Sequence, residues 1–176
     1  MNRTLLKFES LQQVVGNEHI AVIMLTDEAR LRAITVVCDE MMMQQIAFRM
    51  NHPDLCKAML PEVLTRLMPF GLEMMIVGIF DGQYQVILMD VENGISERIR
   101  MSDAVLLSMI SQVPLYIEDG LMAKQCSPFD ENAKGVAIPI NTMATPQLKA
   151  ALEQAVEDEN YELASQLRDE INRRSH

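Results

Sequence analysis

The chain has 176 residues, 49% of them hydrophobic, with 25 acidic side chains against 15 basic ones. That length accommodates one ordinary domain plus a small appendage. A net charge of −10 works against a nucleic-acid binder, since such affinity comes largely from cations meeting phosphate. No apolar run approaches the ~18 residues of a membrane span.

Residues 3–9, 19–26 and 29–37 read as strands, the last two rich in β-branched and long apolar side chains, with Thr26-Asp27-Glu28 as a hairpin connection. Near Asp39 the period changes. Met42, Met43, Ile46, Ala47 and Met50 follow helical spacing, and Asp39 or Glu40 suits the first turn. The Met41-Met42-Met43 run at this spacing fits core filler rather than a sulfur-rich metal site. A second helix is expected over about 57–68, burying Leu60, Val63, Leu64 and Leu67, with Pro61 tolerated only in its first turn. Pro69-Phe70-Gly71 should end it. Residues 72–80 and 83–91 form a strand pair around Asp81-Gly82, a strong hairpin signal. A turn at Glu92-Asn93-Gly94 leads into a third antiparallel strand, ISERIRM. Ser102 then suits the N-cap of a helix that buries Val105, Leu106, Met109 and Val113 and closes at Pro114. A short strand, LYI, precedes a small helix over about 119–124. Residues 126–144 contain two prolines and a Lys134-Gly135 break, and read as a semi-ordered linker with a short strand at 136–140.

From Thr145 the pattern becomes helical again. Thr145 suits an N-cap and Pro146 the first helical position. Leu148, Leu152, Ala155 and Val156 recur at spacings of three and four, which puts them on one face. The polar run Glu157-Asp158-Glu159-Asn160 interrupts this stripe, which resumes with Tyr161, Ala164, Leu167 and Ile171. Arg173 and Arg174 suit a helix C-terminus. A two-helix hairpin results, acidic by seven carboxylates to four cations, and too short to bury much against itself. Its stripe should therefore seek a second surface.

Order and patterning together give an α+β domain with a mainly antiparallel sheet and packed helices over residues 1–125, a linker at 126–144, and a C-terminal two-helix hairpin at 145–176. Cys38, Cys56 and Cys126 have neither C-x-x-C nor zinc-like spacing, and His19, His52 and His176 show no ligand spacing. Reduced thiols and a start, MNRTLLKFESLQQ, without a signal-peptide core lead to the expectation of a cytoplasmic protein.

Two stretches carry resemblances. Ala155-Val156-Glu157-Asp158, Asn160-Tyr161-Glu162, Ala164 and Leu167-Arg168-Asp169-Glu170-Ile171 closely resemble the UVR module, a helical hairpin found at the end of the excision-nuclease B subunit and in regulators of stress proteases and kinases. That resemblance implies protein–protein contact, here through Leu148, Leu152, Tyr161, Ala164, Leu167, Arg168 and Ile171, and no chemistry. Arg100-Met101-Ser102-Asp103-Ala104, the apolar helix after it and Pro114-Leu115-Tyr116-Ile117 are similar to the signature of the bifunctional nuclease domain family, as is the Gly82-Gln83-Tyr84 strand. This second resemblance covers roughly residues 3–125, and such a domain commonly carries a UVR hairpin. It implies an α+β fold, self-association, nuclease activity on DNA and RNA with a divalent metal (Mg²⁺ or Mn²⁺), and Arg100, Ser102 and Asp103 as catalytic residues.

Departures from that pattern weaken the chemistry. The family's Asp two residues before the signature arginine is Arg98 here, its Thr-His-Asp is Cys56-Lys57-Ala58, and its glutamate near the first helix falls on Met42, with Asp39 and Glu40 close by. Phosphodiester hydrolysis needs carboxylates for a metal or an acid–base pair, and one surviving Asp103 is a thin basis for either. Ser102 and Asp103 also have a purely structural use, capping a helix and favouring its dipole. Arg100 can pair with an acid or bind a phosphate, and Asp81 reads as a turn residue. The functional expectation is a nuclease-family protein with weakened or lost activity that carries a partner-binding hairpin. A non-catalytic adaptor is the alternative, and a small-molecule sensor using the same domain is a third reading.

Overall fold

The computed structural model describes residues 2–14, 17–68, 71–131 and 138–175. Three long antiparallel strands open the chain: β1 (Arg3–Val14), β2 (Asn17–Asp27) and β3 (Arg32–Asp39). β1 and β2 run further than expected, β1 continuing through Ser10, Gln12 and Gln13 after a register shift between Phe8 and Ser10, whereas β3 starts three residues later and ends two residues later than its expected bounds. After helices α1 (Glu40–Asn51), α2 (Pro53–Cys56) and α3 (Leu60–Leu67) come β4 (Leu72–Phe80), β5 (Gln83–Asp90) and β6 (Ile95–Ile99). Helix α4 (Met101–Ile110), strand β7 (Leu115–Glu118), helix α5 (Asp119–Gln125) and strand β8 (Ser127–Pro128) follow. One eight-stranded sheet results, in the order β6-β5-β4-β7-β1-β2-β3-β8. The β4–β7 pair is parallel and the others are antiparallel. The fold class is α+β, as expected.

Period-two burial builds the core. Ala21, Ile23 and Leu25 of β2, Ile34, Val36 and Cys38 of β3, Met74 and Ile76 of β4, and Leu115 and Ile117 of β7 alternate into one continuous cluster. Helices close over it through Met42 and Ile46 of α1, Met101, Ala104 and Val105 of α4, and Met122 of α5. Each fully buried side chain of this size stabilises the fold by about 1.5–3 kcal/mol. Met42 and Met43 take the packing role read from the sequence, whereas Met41 points to solvent.

The middle helices differ from expectation. The helix expected over 57–68 starts at Leu60, with Pro61 in its first turn, and its apolar stripe is not buried: Leu60 and Leu67 are 68% and 76% exposed. A charge holds this helix instead. Arg49 on α1 is 7% exposed and donates to Glu62 Oε1 at 2.6 Å and to Gln45 Oε1 at 2.8 Å. A buried guanidinium with that many acceptors costs little to bury and much to strip of its partner. The helix is therefore anchored along its Glu62 side and leaves its leucines outward.

The linker also departs from its reading as semi-ordered. Ser127 and Pro128 pair with Ala33 and Arg32 as an edge strand, and the Phe129 N–H bonds Leu31 O at 2.9 Å. The Lys134-Gly135 break and the first part of the strand expected at 136–140 lie outside the described residues, as do Pro69 and Phe70. Ile140 opens a 3₁₀ turn, Ile140–Thr142, rather than ending a strand. Helices α6 (Thr145–Glu157) and α7 (Tyr161–Arg174) complete the chain as the expected hairpin. Among the described residues, no helix is long and apolar enough to cross a membrane.

Asp27 fastens the β2–β3 connection. Its Oδ1 accepts from the Leu31 and Arg32 N–H groups at 2.8 and 3.2 Å, and its Oδ2 from Arg32 Nε at 2.9 Å. Burial alone would raise its pKa, but these donors outweigh it and hold the carboxyl below the usual carboxylate range. A depressed folded-state pKa stabilises above the unfolded value of about 3.9 and is lost as pH falls through the folded one. Asp27→Asn should therefore lower the urea midpoint at pH 7 by an equivalent of about 1–2 kcal/mol. The gap to the parent should close on acidification below about pH 4; a gap that persists there would mean that the charge is not what Asp27 contributes.

Candidate functional site

The hairpin's own core is small and dry. Leu148, Ala155, Ala164 and Leu167 bury against one another, with Leu152, Ile171, Ile140 and Met143 packed around them. The two arms close on each other, with small residues at 155 and 164 at their contact, and part of the second surface expected for the stripe is Ile140 and Met143 of the approach segment. Of the residues assigned to partner binding, Leu148, Ala164 and Leu167 are buried inside the hairpin, and Leu152 and Ile171 are partly covered. Tyr161 is 70% exposed and Arg168 also faces solvent. Beside Tyr161 the structure exposes Val156 and Leu163. The Asn160 side chain caps the second arm, its Oδ1 accepting from the Leu163 N–H at 3.2 Å.

Arg174 fixes the hairpin to the sheet. Its guanidinium donates to Glu170 Oε1 at 2.8 Å, to the Met143 carbonyl at 2.7 Å and to the Asn141 carbonyl at 3.2 Å. It also lies 3.6 Å from Asp81 in the β4–β5 turn, and the Thr145 hydroxyl donates to the same Asp81 carboxylate at 3.0 Å. Hydrogen bonds from Arg173, together with those from Arg174, hold the Glu170 carboxyl below its ordinary range despite burial. Asp81 and Gly82 have φ values of +47° and +76°, the two positive angles of a type I′ hairpin turn. Gly82 has a second duty. A Cβ there would lie 2.3 Å from the Met143 carbonyl oxygen and 3.0 Å from Arg174 Nη1, so the turn is a seat for the hairpin. Asp81 is thus a turn residue, as read, and a docking residue, which local spacing does not show.

Above this seat lies a cleft of about 680 Å³. Its walls are the end of β3 (residues 36–39), the start of β5 (residues 83–85), the β6–α4 junction (residues 98–102), and Thr142, Ala144 and Gln147 from the approach to the hairpin. Three helix starts converge on it. Asp39 caps α1 by accepting from the Met42 N–H at 2.8 Å. The N-caps of α4 and α6 are Arg100 and Ala144, and neither supplies a side-chain cap bond. This corrects two sequence expectations. Ser102 is not an N-cap but lies within the first turn of α4, and Thr145 is displaced from its cap position by Ala144.

The cleft brings Arg100 and Ser102 together with Arg98, Asp39 and Tyr84. Asp103 is turned toward Arg100, whose Nε and Nη2 donate to its two carboxylate oxygens at 2.7 and 2.9 Å. Of the two uses open to Arg100, the structure shows the pairing with an acid. Lys57, the second cation expected near the site, pairs with Asp54 at 2.7 Å instead and does not line the cleft. Among the described residues, no group of three His, Cys, Asp or Glu side chains is placed to share a metal ion. Cys38 lines the cleft as a thiol: burial, with Asp39 beside it, pushes its pKa up to about 11, so it is no thiolate nucleophile at neutral pH. Burial likewise raises the Tyr84 hydroxyl above its ordinary pKa; closed off from solvent, that hydroxyl has no hydrogen-bond partner among the described residues.

Residues 145–173 match the UVR family, described as the UvrB/uvrC motif. No curated protein matches the chain. The match covers the hairpin and not the body.

Two expectations follow from this geometry. Gly82→Ala should cost more than ~1 kcal/mol, through backbone strain at positive φ and a clash with Met143. It should also speed amide exchange across α6 and α7 more than in β1–β3; equal acceleration throughout would show that Gly82 serves only its own turn. Ser102→Ala, with no cap bond to lose, should leave the thermal midpoint within an equivalent of about 0.5 kcal/mol, measurable by calorimetry.

Proposed function

We propose that this protein is a non-catalytic adaptor whose UVR hairpin binds a partner protein, built on a body derived from the bifunctional nuclease domain family and divided at residues 1–125, 126–144 and 145–176. The observation that carries the reading is the Arg100–Asp103 clamp beside Arg98. The one signature carboxylate accepts two hydrogen bonds from an arginine, and a further arginine stands two residues before that one, on the same wall of the cleft, where the family places an acid. A divalent cation at this spot would meet a carboxylate already neutralised and a repelling neighbour. The Arg98, Lys57 and Ala58 substitutions read from the sequence point the same way.

The contact surface of the hairpin, in this reading, is the exposed strip of Val156, Tyr161, Leu163 and Arg168. Tyr161 is the natural anchor, since a solvent-exposed aromatic with a polar tip gives much contact area at little entropic cost. The acidic residues around it, Glu157, Asp158, Glu159, Glu162 and Asp169, favour a partner with a basic rim, which would speed encounter and reject acidic surfaces. DNA is disfavoured by the same charge. Self-association is part of the proposal too, supported by two surfaces: the outward leucines of α3 and the unpaired edge of β6, where Ile95 is 61% exposed.

The test runs wild type and Asp103→Ala side by side on plasmid and RNA with Mg²⁺ or Mn²⁺. The expected result is no cleavage that depends on Asp103. Strong metal-dependent cleavage lost in the variant would return the protein to the nucleases, because Asp103 would then leave Arg100 to hold metal. Affinity capture should in parallel recover a protein partner with wild type and lose at least tenfold in affinity with Tyr161→Ala; an unaffected complex would move the contact off this strip.

A further inference from the structure

Two apolar surfaces of this chain lie open to solvent, and they carry opposite charge at their rims. Leu60, Leu64 and Leu67 recur at four and three residues along α3, so they form one stripe, and all three are exposed. Around that stripe two cations are already spent, Arg49 on Glu62 and Lys57 on Asp54. Arg66 is left. It is exposed, its guanidinium donates to the Lys57 carbonyl at 3.0 Å, and it has no carboxylate partner among the described residues.

The hairpin tip is the inverse. Val156, Tyr161 and Leu163 are exposed there, set among Glu157, Asp158, Glu159 and Glu162. None of these four acids has an ion-pair partner among the described residues. Tip against tip would bring like charges together, which disfavours that pairing. Nor does a chain cover its own stripe with its own tip. Both stay exposed in one structure, whose hairpin is held at its base by Arg174. A second copy has no such constraint.

We propose that the hairpin tip of one copy docks on the leucine stripe of α3 in a second copy, with Tyr161 over the leucines and the tip's carboxylates facing Arg66. The inference rests on the reading of the tip as a contact surface and names its partner, another molecule of the same chain. An amphipathic helical element laid on an apolar stripe is a common mode of recognition. The two patches differ, so every copy offers both halves of the contact. One contact is small, since an α3 of 8 residues is about 12 Å long. Two copies that exchange tips make it twice, and the second contact forms at the raised local concentration that the first creates.

The experiment follows sedimentation velocity of the full chain over a hundredfold range of concentration. Wild type is expected to associate. Tyr161→Ala removes the tip's anchor and Leu60→Asp puts a carboxylate into the stripe, so each variant alone should remain monomeric. Mixed, they should associate, because one keeps an intact tip and the other an intact stripe. Both side chains are exposed, so unchanged far-ultraviolet circular dichroism separates a lost contact from a lost fold. Arg66→Glu should weaken association at least fivefold, and Arg66→Lys much less. Loss in Leu60→Asp alone would assign α3 to pairing with its own copy, and loss in Tyr161→Ala alone would assign the tip to itself; either result overturns the proposal. So does a mixture that fails to associate, or Arg66→Glu without effect. A wild type that stays monomeric yet binds a foreign protein through Tyr161 would overturn this inference and leave the adaptor reading intact.

Discussion

A guanidinium taken out of water must have its donors met, and Arg174 meets that demand by tying three pieces of chain together. Its side chain is 9% exposed and bonds the hairpin's own Glu170, two carbonyls of the approach segment, and the field of Asp81 in the sheet. Losing any one of these acceptors leaves a charge partly buried and uncompensated, which is the expensive state. The interaction is thus less a source of net stability than a specification of place. Gly82 makes it feasible, because only a residue without a Cβ lets the Met143 carbonyl come so close to the turn. Without that seat the hairpin would keep its internal core but lose its position, and the cleft would lose the wall made by Thr142, Ala144 and Gln147.

Position matters because the cleft's chemistry is made by convergence, not by any one residue. A single helix start is a weak anion site, and a single exposed arginine is a solvated one. Around this hollow two of the three starts are already answered, that of α1 by Asp39 and that of α6 by Gln147, whose Oε1 accepts from the Ala144 N–H at 3.0 Å. Arg100 contributes least to the remaining field, because Asp103 already balances it. Arg98, on the next outward-facing position of the same strand edge, contributes most.

The parts of this design that are local in sequence were legible, and those that depend on long-range pairing were not. Strand alternation in residues 19–26 and 72–91, the Asp81-Gly82 turn, the Asp39 helix start and the terminal hairpin each have their cause within a few residues. The α3 stripe misled because periodicity reports that one face is apolar, not that anything covers it. What holds α3 is Arg49 against Glu62, thirteen residues apart, and no pattern rule pairs them. Ser102 misled in a similar way. A serine before an apolar helix favours a cap, yet the helix begins two residues earlier than a Ser102 cap would place it, with Arg100 extended at φ −69° and ψ 147° as the N-cap. Strand β8 was missed because two residues pairing across an edge leave no periodic trace. At the site, Arg98 and Ser102 were visible as individual residues, whereas Tyr84 joins them through the pairing of β5 with β6 and Thr142, Ala144 and Gln147 through the docking of the hairpin.

This division bears on how body and hairpin work as one molecule. The hairpin shows its Tyr161 tip to solvent while its base is held by Arg174 and borders the cleft, so the two ends of a short rigid element face different duties. Anything that tightens the base orders α6 and α7 together, because Leu148 and Leu167 interlock and the arms cannot move independently without opening their core. A partner gripping the tip would feel that order as a smaller entropic cost of binding.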